Sequence, residues 1–130
     1  MYNLNELAFE AMLENLKQLS KGNPFTKLAV DRVSYEYNRS QYNDCIRHID
    51  DENNQIAKIY NQISQRGGFV TPCELLELQR HIQLRTEYEA KSMKHFYSGG
   101  KDAEDIMNNL AMMWITAFLS ESGNIIRLNV

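Results

Sequence analysis

The chain has 130 residues, 43% hydrophobic and 24% charged, with a formal net charge of −3. That size suits a single domain, 1–130, able to bury a core without disulfide or metal staples, and the composition is that of a globular protein, not a disordered one. Lysines and arginines are scattered, which leaves no concentrated footprint for a broad grip on nucleic acid, and two cysteines, Cys45 and Cys73, are too few for a disulfide framework. They read as reduced thiols of a cytoplasmic protein, with a single bridge between them as the open alternative. The opening stretch MYNLNELAFEAMLENL carries Glu6, Glu10 and Glu14 and no basic region, so it does not read as a signal peptide.

Punctuation by Gly and Pro predicts an all-α four-helix bundle built around a long antiparallel hairpin, with helices at about 4–20, 26–65, 72–97 and 102–120 and a short apolar C-terminal tail. The first predicted helix has Asn3 as N-cap and Gly22 past its end. Glu6, Glu10, Glu14, Lys17 and Lys21 fall on one narrow stripe, and Leu4, Leu7, Phe9, Met12, Leu13, Leu16 and Leu19 occupy most of the remaining circumference. A surface helix shows the reverse, so burial on several sides is expected.

In the second predicted helix, Tyr42, Ile46, Ile49, Asn53, Ile56, Tyr60 and Ile63 alternate steps of four and three, the spacing of a coiled-coil seam. A bend is expected near Asn38–Ser40, and KLAVDRVSYEY also contains a partial period-two pattern, so residues 28–37 read as either helix or strand. The third has the strongest start signal, TPCE: Thr71 as N-cap, Pro72 at the first helical position and Glu74 closing a capping box. Gly99 supplies its expected stop. The stretch VTPCELLELQ resembles the proline–leucine–glutamine opening of the hairpin helix in needle and inner-rod subunits of type III secretion, and this resemblance implies one alternative, a rod- or needle-like helical-hairpin subunit.

The fourth predicted helix contains NLAMMWITAFL, apolar nearly all round from Leu110 onward and closed by Glu121 and Gly123. A bilayer-crossing helix needs about 20 mostly apolar residues; this run is shorter, so no membrane is expected. The tail NIIRLNV is apolar and is expected to dock.

Chemistry has little foothold. Glu-x-x-His is absent, because Cys45, Leu78 and Ser92 stand three before His48, His81 and His95. Cys45 and His48 share a helix face but lack further ligands for a zinc site. Cys73 lies in a first helical turn without an identifiable base. The glycine pairs at 67–68 and 99–100 lack phosphate-loop spacing. No catalytic, metal-binding or cofactor-binding residue is assigned, and no cofactor is expected.

The expected function is therefore a non-enzymatic protein–protein interaction module: a small adaptor, inhibitor or assembly subunit that forms a homodimer. Its interface anchors are Leu13, Leu16, Met113, Trp114 and Phe118, where large apolar and aromatic side chains concentrate. A second partner would meet Arg80, Arg85, Tyr88, Lys91 and Lys94, which also serve the alternative of a nucleic-acid-binding regulator. An Asn- and Ile-rich helical chain without motifs fits the small proteins of phages and other mobile elements.

Overall fold

A computed structural model describes residues 4–129, with side chains from 4 to 121. The described chain is all-α and contains three helices: α1 (Leu4–Leu19), α2 (Pro24–Gln65) and α3 (Pro72–Asn129). The expected four-helix bundle is overturned, because the third and fourth predicted helices are one 58-residue helix. Gly99 and Gly100 lie inside it and make no turn. Among the described residues, positive φ occurs at Gly67 (81°) and Gly68 (93°), which form the true α2–α3 connection. A helix-interior glycine costs about 1 kcal/mol relative to alanine, a cost that neighbouring contacts can offset. Nearby on α3, His95 and Asp102 are both buried and hydrogen-bonded to α2. Likewise α2 runs unbroken through Asn38–Ser40, residues 28–37 are helical, and α3 passes Gly123. The expected docking of the tail side chains lies outside the described side chains.

Local capping explains the helix starts. Asn23 Oδ1 accepts from the backbone N–H groups of Phe25 (3.0 Å) and Thr26 (3.2 Å), and Pro24 follows at the first helical position. At α3 the capping box is reciprocal: Glu74 N donates to Thr71 Oγ1 (3.2 Å), and Thr71 N donates to Glu74 Oε1 (3.0 Å). Arg66 also donates to Glu74. These donors, Arg66 first and then the Thr71 backbone, hold the Glu74 carboxyl down at about 2, and the same contact raises the Arg66 guanidinium.

Two compact units are distinguished. The first, Asn38–Tyr97, is an antiparallel hairpin of α2 and α3, as expected. Its apolar core is Ile56, Ile59, Ile63 and Leu78. Away from that core the pairing becomes polar and aromatic. His81 Nδ1 lies 2.5 Å from Glu52 Oε2, Arg85 donates to Asn53 Oδ1 (3.0 Å), and His48 stacks on Tyr88 with centroids 4.5 Å apart. Further along, His95 Nδ1–H donates to Asn38 Oδ1 at 2.8 Å. On α2 the residues turned toward α3 are Cys45, Ile49, Glu52, Ile56, Ile59 and Ile63. This stripe also steps by four and three, but it is rotated from the expected one: Ile46, Asn53 and Tyr60 face outward.

The second unit comprises the described residues up to Tyr37 and those from Ser98 onward. Here α1 runs antiparallel to the start of α2, with Phe9 against Tyr37 (4.8 Å) and Tyr37 Oη donating to Glu10 (3.2 Å). Lys17 Nζ meets Asp102 Oδ1 at 2.6 Å, Ser34 Oγ donates to Asp102 Oδ2 at 2.6 Å, and Lys27 pairs with Asp31 at 2.6 Å. The unit's described buried side chains are Leu13, Ser20, Asp31, Ser34 and Asp102. Apart from Leu13 these are polar, which is tolerable because the buried carboxylates have ammonium or hydroxyl partners.

Candidate interaction surface

In α1 part of the charged stripe read from the sequence turns inward, while Glu14 and, just past the helix, Lys21 stay exposed. Glu6, Glu10 and Lys17 are half-buried and Leu13 is buried, whereas Leu4 and Leu19 are each 83% exposed. Leu7, Met12 and Leu16 are exposed too. The expectation of a helix covered on several sides thus fails: every leucine of α1 but Leu13 lies outside, and the buried acid of α3 draws Lys17 inward.

The second half of the surface follows from register. Lys17, two residues before the end of α1, sits level with Asp102. Pro24, the first residue of α2, receives a hydrogen bond from Asn109 Nδ2 at 2.8 Å. Past about Leu110, then, neither helix continues beside α3. Met113 is half-buried, while Met112, Trp114, Ile115, Phe118 and Leu119 are exposed, Trp114 at 77%. An isolated stretch of helix this short is marginal in water, and one that is apolar on every side exposes a surface that water disfavours.

The anchors named from the sequence therefore separate. Leu13 is enclosed within its own unit, Met113 is half-covered, and Leu16, Trp114 and Phe118 are exposed. The basic group on α3 does not form one free face. Arg80 and Lys94 are exposed, but Lys91 is buried, Tyr88 is stacked on His48, and Arg85 is engaged with Asn53 and lies 3.8 Å from Glu89. Missed by the sequence reading were Asp102 and Ser34. An acidic residue two positions after a glycine pair reads as a helix start, and only the third dimension shows that Asp102 is buried.

Chemical sites fare as follows. Cys45 is buried, Cys73 is exposed, and both are free thiols. No group of three or more His, Cys, Asp or Glu able to hold a metal ion occurs among the described residues. A cleft of about 270 Å³ in the second unit is lined by four lysines (17, 21, 27 and 101), by Glu14, Asp31 and Asp105, and by Gln18. Lys27 is taken by Asp31 and Lys17 by Asp102, so the cleft wall is close to charge balance and has no strong preference for either ion sign. Among the described residues, no helix is long and apolar enough to cross a membrane. No protein-family model, curated protein or solved structure matches the chain.

Proposed function

We propose that the protein is a protein–protein interaction subunit that self-associates through the outward apolar surfaces of its second unit. The carrying observation is the run from Leu110 to Leu119, which extends past the ends of both neighbouring helices with its large side chains in solvent. Burying one large apolar side chain is worth roughly 1.5–3 kcal/mol, so covering a handful of them is a sufficient driving force for assembly even after association entropy is charged against it. The two-helix unit adds exposed Phe69, Leu76 and Phe96 as secondary apolar ground.

Trp114 is the protein's single tryptophan, which makes the test direct. Light scattering and tryptophan emission are followed together across a dilution series. The expected result is a particle heavier than the 15.2 kDa chain at high concentration, with emission shifting to the red as it dissociates. A 15 kDa particle at every concentration, with the emission of solvated indole throughout, removes the proposal.

A further inference from the structure

Resting on that self-association, we infer that the partner is a second copy of this chain, and that the two copies exchange elements. The projecting segment of α3, Leu110–Leu119, of each copy lies on the outward face of α1 of the other.

Three observations carry this. First, the two surfaces occur on one chain and in one unit, and they differ in kind. The α3 segment is a protrusion that is apolar all round. The outward side of α1, with Leu4, Ala8, Ala11, Met12 and Leu19 within about a half-turn of arc, is a flat apolar strip interrupted by Asn15. Second, the segment cannot cover the strip of its own chain. Helix α1 ends at Leu19, level with residue 104 by the Lys17–Asp102 contact, and α3 continues without a turn. At 1.5 Å per residue, Phe118 therefore lies roughly 20 Å beyond the end of α1. Third, the area suffices. The large apolar side chains of the two surfaces expose between 36% and 83% of themselves. At roughly 150 Å² apiece, the low end for an aromatic, the exposed parts of the nine large apolar side chains on strip and segment sum to about 850 Å² per chain, so an interface that covers most of them reaches the ~800 Å² per partner of a stable complex.

A foreign helix laid on either surface leaves the other in water. A second copy covers both at once, because a two-fold operation that seats one protrusion on one strip seats the reciprocal pair as well. A lipid surface fits less well. In-plane membrane helices keep a basic polar face, and from Leu110 to Leu119 the segment has no charged residue.

Cross-linking between differently labelled copies tests the arrangement. In a Cys73→Ser background, which removes the exposed thiol, one preparation carries Ala11→Cys and another Ala117→Cys; both positions are exposed. The two are mixed, equilibrated and treated with a short bismaleimide. The expected product is the unlike pair, joined from position 11 to position 117, in several-fold excess over either like pair. Circular dichroism checks that each variant keeps its helix content, and a Leu19→Glu variant is expected to weaken assembly at least tenfold by a route independent of cysteine. If light scattering shows assembly but the 117–117 pair dominates, the exchange is wrong and self-association stands. If the Leu19→Glu variant assembles as tightly as the parent, the exchange is likewise wrong. Absence of any assembled species overturns both.

Discussion

Asp102 joins three helices through one carboxylate, so its removal is expected to be among the more damaging single changes in the second unit. Its two oxygens take Lys17 and Ser34 at 2.6 Å each, and the residue has no solvent exposure. Deleting Ser34 Oγ by Ser34→Ala leaves a buried acceptor short of one donor, at a cost of about 1–3 kcal/mol. Asp102→Ala is expected to cost about 3 kcal/mol, the low end for a broken buried pair, because Lys17 can still reach water. Urea unfolding of the two variants measures both; equal stability to the parent would mean that this carboxylate does not organise the interior. Glu74 behaves differently, since it is half-buried at a helix start and not enclosed. Its carboxyl is held at about 2, against an ordinary 4.5, so the contribution of its ionised form is fully present above about 4.5 and is lost as pH falls toward 2. Glu74→Gln keeps a capping-box acceptor but loses the charge. Thermal unfolding is expected to show a lower Tm for the variant at pH 7 and a gap that closes on acidification, with salt shrinking the difference at pH 7. A gap independent of pH would assign the effect to something other than the charge. Of these two residues only Glu74 was legible in the sequence, because Thr71, Pro72 and Glu74 lie within one turn. Asp102 meets Ser34 across 68 positions, a pairing that no local pattern encodes.

At the scale of elements, glycine gave the misleading signal. Two adjacent glycines after a long amphipathic run read as a stop, and at 67–68 the same dipeptide is one. The difference lies in what surrounds each pair: after Gly68 comes a complete capping box that restarts the chain, whereas Gly99 and Gly100 are followed by Lys101 and the buried Asp102. Substitution separates the two environments. Gly100 is helical and exposed, with no atom within 4 Å of an added Cβ, so Gly100→Ala is expected to stabilise by about 0.5–1 kcal/mol. Gly68 has equal space but a φ of 93°, so Gly68→Ala is expected to destabilise by about 1 kcal/mol or more. Chemical denaturation of the pair checks this, and a loss of stability in Gly100→Ala would restore a turn at that point and with it a separate fourth helix. The rotation of the α2 stripe has a comparable origin. Tyr42, Ile49, Ile56 and Ile63 satisfy both phases of a four–three pattern, and the choice between Ile46, Asn53, Tyr60 and Cys45, Glu52, Ile59 depends on the partner helix. That partner offers His81, which suits Glu52, and Leu78, which clusters with Ile59.

At the scale of the whole molecule, the excess of apolar circumference at both ends of the chain was readable from the helical wheel, and its direction was not. The ordinary expectation sends leucine inward. In the second unit Leu13 shares the inward positions with Ser20, Asp31, Ser34 and Asp102, so the other leucines of α1 and the apolar end of α3 stay exposed. Under the proposed self-association, this division couples folding to assembly. The polar interior contributes little net stability, since hydrogen bonds and ion pairs largely replace those made with water, and the larger part of the hydrophobic stabilisation becomes available when the outward surfaces are covered. Anything that binds the folded chain and not the unfolded one raises its apparent stability by mass action, and for a self-associating chain the ligand is the protein itself. The Tm is accordingly expected to rise with chain concentration, by several degrees over a hundredfold range, in calorimetry or circular dichroism. Trp114→Glu places a charge at the most exposed aromatic position of the segment and is expected to abolish that concentration dependence while leaving the Tm at the lowest concentration near that of the parent. A Tm independent of concentration in the parent would mean that each chain is already as stable alone as it becomes in company, and the outward leucines would then have no role in holding copies together.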